Sequence, residues 1–324
     1  MVLPPQLACP AHLETLACGT VNNNELLCRH GCRFPILLDI PRFVNSSTYA
    51  DGFGLQWKRF QKTQLDSHTG TTISSDRLRR CLGEDLEGVN GRSILEVGCG
   101  AGRFTEILLR AGGRVFACDL SNAVEANHAN CAHWPGYFVC QADILHLPVL
   151  PNSFDVVLSL GVIQHTVNPE VTISTLTRYL RPGGKLVLDH YSYDYNYNLA
   201  RQVLRSLLLR LSPESSMKAA TALGRILLPL HKLCWRNQRP FGRARRYLAK
   251  VSPLIDYFDS YPELGTKLLQ DWAILDTHDT LTDRYKHFRS AEEIRSSLQG
   301  CGLIDIEVVL GGNGIEARAR KPSG

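Results

Sequence analysis

The sequence predicts an α/β protein centred on a largely parallel sheet. Two observations carry this. Between residues 93 and 192, short apolar runs alternate with helical stretches, the pattern of strands that return through crossovers. The first run, 93–97, ends in the glycines Gly98, Gly100 and Gly102, and the next two strands end near acids, Asp119 and Asp143.

The elements follow in order. Residues 1–45 hold four cysteines, two histidines and several prolines with little helical periodicity, and form a separate small segment. Residues 46–92 read as a loop and then polar helices, for example 74–82. The central strands are 93–97, 114–119, 136–141, 154–159 and 185–189. The second follows a helix at 103–109 that the pair Gly112-Gly113 terminates, and the fifth is entered through Arg181-Pro182-Gly183-Gly184. Residues 193–284 are helical, basic and aromatic, as expected of an inserted cover. A helix over 290–299 starts at Ser290, with Glu293 completing a capping box. Two closing strands, 304–310 and 314–320, flank a turn at 311–313. The expected division is 1–45, a core 46–192, an insertion 193–284 and a sheet-completing end 285–324.

Composition narrows the function classes. The 324 residues are 44% hydrophobic and 21% charged, ordinary for a globular protein, and Lys plus Arg exceed Asp plus Glu by 36 − 31 = +5. That excess alone does not argue for nucleic acid. The first ten residues show no secretory signal, and no run approaches the roughly 18 apolar residues of a membrane span. Eleven scattered cysteines suit reduced thiols in a cytoplasm better than a disulfide framework.

The stretch Glu96-Val97-Gly98-Cys99-Gly100-Ala101-Gly102 joins the first strand to its helix. A ligand crossing the carboxyl edge of a parallel sheet needs close backbone, and three glycines remove the side chains that would block it. Asp119, 21 residues after Gly98, suits a ribose diol. Asp143 can accept an adenine amino group while Ile144 covers the ring. Glu96 can help fix a ligand's ammonium.

These stretches, with Ser153-Phe154-Asp155-Val156-Val157, Gly161-Val162-Ile163-Gln164-His165-Thr166 and Leu180-Arg181-Pro182-Gly183-Gly184, resemble class I S-adenosylmethionine (SAM)-dependent methyltransferases of the type 11 kind, particularly the group that includes quinone-biosynthesis C-methyltransferases. The resemblance implies a Rossmann-like seven-stranded sheet whose last strand is antiparallel. It also implies SAM as cofactor, with Leu120 and Leu160 joining the acids, glycines and Ile144 of its site. The flanks Phe53-Gly54-Leu55-Gln56-Trp57, Gln64-Leu65-Asp66-Ser67 and 311–318 resemble a less characterised bacterial methyltransferase group that fixes no substrate.

Cys9-Pro10-Ala11-His12 and Cys28-Arg29-His30-Gly31-Cys32 resemble the two knuckles of a zinc ribbon. The implied ligands are Cys9, His12, Cys28 and Cys32, with Cys18 and His30 as competitors. The first knuckle is C-x₂-H and the second C-x₃-C, departures that leave a metal-free ribbon as the alternative.

For the chemistry, His165 lies just after the fourth strand and is a candidate base or orienter. The stretch 276–287 is dense in titratable groups, so His278 and His287 are further candidates, against the alternative of a polar lid loop. His190 and Tyr191 also face the active edge on topology. The first functional reading is a methyltransferase of the cytoplasm acting on a small-molecule, glycan or lipid-linked acceptor. The others are an RNA methyltransferase and a non-catalytic SAM-fold binding protein. A nicotinamide oxidoreductase leaves Asp143 and the Arg-Pro-Gly-Gly turn unexplained.

Residues 201–250 contain twelve Lys or Arg and one acid, Glu214. A helix from 199 to 211 sets Val203, Leu204, Leu207, Leu208 and Leu211 against Arg201, Gln202 and Arg205, and Pro229 bends or breaks the apolar stretch 223–233. Two outcomes are expected of it: leucines packed on the core with solvated arginines, or peripheral contact with the inner membrane surface in which Arg243, Arg245 and Arg246 take part. Nucleic acid is a third.

Overall fold

The structure is a computed structural model, and it describes residues 3–19, 24–44, 48–312 and 314–323, with the backbone alone at Gln238. The expected turn residue Asn313 lies outside the described residues.

The chain opens with a four-stranded antiparallel meander: β1 (Ala17–Cys18), β2 (Glu25–Leu27), β3 (Arg33–Leu37) and β4 (Ile40–Pro41). Three helices follow, α1 (Asp51–Arg59), α2 (Asp66–Thr69) and α3 (Ile73–Leu82). Next come β5 (Ser93–Val97), α4 (Thr105–Arg110), β6 (Arg114–Asp119), α5 (Val124–Cys131), β7 (Tyr137–Gln141), β8 (Phe154–Ser159), α6 (Pro169–Thr177) and β9 (Leu180–His190). The insertion carries α7 (Leu199–Leu208), α8 (Pro213–Arg236), α9 (Gln238–Val251) and α10 (Gly265–Thr282). The chain ends in α11 (Ala291–Gly300), β10 (Ile304–Gly311) and β11 (Gly314–Arg320).

The main sheet runs β10-β11-β9-β8-β5-β6-β7. β5 to β9 pair in parallel, and β11 enters antiparallel between β9 and β10. This is the Rossmann-like seven-stranded sheet with an antiparallel last strand. β5 sits at its centre, covered on both faces, and is buried at all five positions.

The alternation of a strand sorts its side chains into two cores. Ile94 joins Leu78 and Leu82 of α3, Leu108 of α4 and Val124 of α5. Leu95 and Val97 face the opposite layer, with Ile173 and Leu176 of α6 and Ile294 and Leu298 of α11. The connection from β7 to β8 supplies no helix to that second layer. The N-terminal meander fills that layer in its place: Leu7, Cys9, Leu26 and Cys28 belong to the same core, and Leu7 bridges to Val149 in that connection.

The insertion forms a cover held to the core through α1, where Phe60 packs with Met217, Ile274 and Leu275. α8 and α10 approach closely at Gly224, where a Cβ would lie 2.5 Å from Ile274. Fully buried His231 of α8 ties the cover together: Nδ1 is 2.6 Å from Asp256 and Nε2 is 2.9 Å from Ser252 Oγ. Arg245 donates to both Asp256 and Asp259. Two expectations need correction here. Pro229 does not break the stretch but sits inside an unbroken α8, on its exposed side with Arg225, where water can satisfy the carbonyl that loses its donor. Arg245 is an internal ion-pairing residue rather than a free surface cation.

Candidate active site

The glycine loop after β5 shapes the floor of one large cavity. Gly98, Gly100 and Gly102 adopt φ of 77°, 50° and 96°, a region in which a side chain is strained. A Cβ on Gly98 would meet Val162 Cγ2 at 2.2 Å, and one on Gly100 would press on the Trp57 ring at 3.1 Å. The loop is therefore a close-fitting surface of backbone, and the cavity above it has a volume of about 1150 Å³. The floor also includes Leu120, Ile144, Leu160 and Asp119.

Asp119 is positioned from both sides. Its Oδ1 accepts from Ser121 N at 2.8 Å and Ser121 Oγ at 2.7 Å, and its Oδ2 accepts from Gly100 N at 3.0 Å. Burial raises its pKa, against those hydrogen bonds. Asp143 does not line the cavity. It caps its own turn, accepting from Leu145 N at 3.0 Å, with His146 3.5 Å away.

Glu96 points away from the cavity. The pleat turns it to the α4 side, where it accepts from Thr105 Oγ1 at 2.6 Å, and Asn127 donates to that same hydroxyl at 3.0 Å. Burial pushes its carboxyl up to about 8, the Thr105 bond opposes this, and Asp119 adds to it. The folded chain thus holds a proton there that the unfolded chain releases near the ordinary 4.5. Stability from this group is present at low pH and lost as pH rises from about 4.5 to about 8. Glu96→Gln is expected to flatten the fall in melting temperature across that window, measured by calorimetry; an unchanged slope would show that Glu96 does not titrate there.

The three candidate histidines separate. His165 lines the cavity, with Nδ1 3.1 Å from Asp283 Oδ2 and 3.2 Å from the Tyr285 carbonyl. Among the described residues its Nε2 has no hydrogen-bond partner. Asp283, fully buried, also meets Arg205 Nε at 2.8 Å and Lys286 Nζ at 2.6 Å. Burial alone would raise its pKa, but His165 and Lys286 hold it below the usual range. His278 is inside the protein but outside the cavity. Its Nδ1 lies 2.7 Å from Gln56 Oε1, and burial lowers its pKa to about 4. His287 also misses the cavity and holds the carbonyl of Thr166 at 3.0 Å, bracing the loop that carries His165. His190 is buried with Nδ1 2.9 Å from the Tyr191 carbonyl, and Tyr191 lines the cavity.

Several cavity residues were not expected. α10 extends through the stretch read as a polar loop, and Asp276 and Asp279, three apart, share its cavity face while His278 turns away. Burial raises Asp276 to about 6, and the Tyr257 hydroxyl donates to it. Arg103 follows the glycine loop directly. It donates to Ser74 Oγ at 2.8 Å and Gln64 Oε1 at 3.0 Å, lies over Phe104 and Trp272, and has no carboxylate partner among the described residues. Burial lowers its pKa to about 10. Tyr191 and Tyr195 stack at 4.3 Å, with Lys286 Nζ over both rings. Arg103 stood in the sequence beside the loop; the side chains from the insertion carried no motif.

In the meander, Cys9, His12, Cys28 and Cys32 place their ligand atoms within 4.8 Å of one another. His12 Nδ1 lies 3.5, 3.4 and 3.5 Å from the three sulfurs. Zn–S of about 2.3 Å and Zn–N of about 2.0–2.1 Å at tetrahedral angles set that edge near 3.5 Å. The donor set therefore fits zinc. His30 pairs with Glu14 at 3.2 Å instead, and Cys18 is exposed on β1.

Comparison with known proteins agrees with the core. Residues 95–188 match the family model described as a methyltransferase domain. A Streptomyces fradiae transposon protein of 37.1 kDa, described as uncharacterized, is 31% identical over 38% of this chain and 37% of its own length. A ubiquinone biosynthesis O-methyltransferase of Coxiella burnetii is 28% identical over 40% of this chain and 56% of its own. The chain thus spans between about a third and just over half of these relatives. A magnesium protoporphyrin IX methyltransferase from Synechocystis with bound SAH is 15% identical, covering 84% of this chain and 96% of that one, with a TM-score of 0.43. The matched segment, residues 95–188, is similar to methyltransferase domains.

Proposed function

We propose that this chain transfers a methyl group from SAM to a small-molecule acceptor with an aromatic or lipid-linked body. The observation that supports this reading most is one cavity shared by the glycine loop and the aromatic cover. Its volume of about 1150 Å³ exceeds the roughly 300–1,000 Å³ of a one-ligand pocket, leaving room for cofactor and acceptor together. When bound, SAM supplies an electrophilic methyl on a sulfonium. Asp119 would accept the ribose hydroxyls, Ile144 and Leu160 would cover apolar surface, and Arg103 would take the cofactor's carboxylate. Tyr191, Tyr195 and Tyr257 offer ring faces to the acceptor, and His165 Nε2 would receive its proton. Asp283 and the Tyr285 carbonyl would hold the proton of the neutral ring on Nδ1, so that Nε2 stays an acceptor. The meander would hold one structural zinc, whose four protein ligands leave no open position for chemistry.

The test is cofactor binding and then product. Wild type is expected to bind SAM by calorimetry, and Asp119→Ala to bind roughly 5- to 150-fold more weakly, a loss of about 1–3 kcal/mol. Labelled SAM added to extracts is expected to label a small molecule. Label in RNA would replace the acceptor, and binding of NADH without SAM would reject the reading altogether.

A further inference from the structure

The helix α7 is built inside out. Its arginines point inward: Arg201 is buried and donates to the carbonyls of Pro253 and Leu254, and Arg205 reaches buried Asp283. Its aliphatic side chains point outward. Leu199, Val203 and Leu207, one turn apart on a single face, are 73%, 50% and 51% exposed, and Leu211 just beyond is 49% exposed. The expected packing of this leucine face on the core does not occur, apart from Leu208 and half-buried Leu204. Nothing among the described residues covers the stripe.

α9 lies next to it. Asn198 at the start of α7 donates to the carbonyls of Lys250 and Ser252, and Asn196 to that of Ala249. The outer side of α9 carries Arg239, Arg243, Arg246 and Lys250, all exposed and none in an ion pair among the described residues. An aliphatic stripe beside unpaired cations complements one kind of surface, an anionic bilayer, where leucines enter the acyl boundary and cations meet the headgroups. Nucleic acid fits less well, because aliphatic side chains neither stack on bases nor pair with their edges. No helix of the described residues is long and apolar enough to cross a membrane, so the contact is superficial.

We infer that α7 and α9 dock this protein on an anionic lipid surface. The cavity reaches Asn196 and Ala249, where the two helices meet, so docking would set the acceptor end of the cavity beside the lipid. This rests on the proposed function only for the acceptor; the docking is read without turnover.

The experiment is sedimentation of the full chain with vesicles of phosphatidylcholine alone or with phosphatidylglycerol. At low salt the wild type is expected to pellet with the anionic vesicles only, and to be released by high salt. Leu199→Ser with Val203→Ser and Leu207→Ser, and separately Arg239, Arg243, Arg246 and Lys250→Gln, are each expected to weaken partitioning at least tenfold. Both variants should melt within a few degrees of wild type by calorimetry, which shows that they fold. Three outcomes overturn the inference: no pelleting at low salt, equal pelleting of wild type and folded variants, or binding to single-stranded RNA without binding to vesicles. Self-association in the ultracentrifuge that the serine variant abolishes, without vesicle binding, assigns the stripe to a second copy of the chain and also overturns it.

Discussion

His165→Ala is expected to lower turnover by roughly 10²–10⁴-fold while SAM affinity stays within about twofold of wild type. The asymmetry follows from placement. The ring lines the cavity, but it belongs to the loop after β8 rather than to the glycine loop or Asp119. Its Nδ1 lies against Asp283 and the Tyr285 carbonyl, while Nε2 has no partner among the described residues. Asp283→Asn is expected to lower turnover less, because the amide can still hold the ring beside Nδ1 but without the carboxylate's charge. The measurements are labelled-methyl incorporation into the product found in extracts, with calorimetry for SAM. Full turnover in His165→Ala would remove the base and leave a reaction that needs none.

Zinc removal should act on stability with comparable size. Protein made with zinc available is expected to contain about one zinc per chain. A chelator, or Cys28→Ser, is expected to lower the melting temperature by on the order of 10 °C. The expected effect is large because the meander is a structural layer: Cys9 and Cys28 lie in the same core as Leu95, Val97 and Phe154. Apparent zinc-binding free energies of about 10–16 kcal/mol in small sites rival the roughly 5–15 kcal/mol by which a whole domain is stable. Metal analysis that finds no zinc would reject the site and leave a metal-free ribbon.

The parts of this molecule that were legible in the sequence are those encoded by neighbours in the chain. A glycine every second residue after an apolar run, an acid at the end of the next strand and a capping box at Ser290 are local signals. Glu96 escaped because the strand's phase, not its residue type, decides which face it takes. His278 escaped for the same reason in a helix: α10 sends Asp276 and Asp279 to the cavity, and no local pattern marked where that helix begins or which side is covered. The choice of His12 over His30 depended on a turn that gives His30 to Glu14. In α7 the polar face was visible, but its inward direction was set by partners 50 to 80 residues away, the carbonyl of Leu254 and the carboxylate of Asp283.

The sheet has two outer strands, and the chain treats them differently. Among the described residues no strand pairs with the outer side of β10, and it is irregular, with its register shifting between Ile304 and Glu307 and with Asp305 at φ 52°. β7 is bridged at its end: Arg42 and Phe43 lie beside Gln141, with Phe43 N donating to the Gln141 carbonyl at 2.8 Å and Arg42 donating to the Gln141 side chain at 2.9 Å. An uncovered regular strand offers a template on which another chain can add its own strand. The N-terminal segment therefore covers the end of the β7 edge. Removing zinc from the proposed site is expected to expose apolar core and free the end of that edge in the same event, so the chelated protein should be lost to strand-on-strand aggregates before its central sheet unfolds.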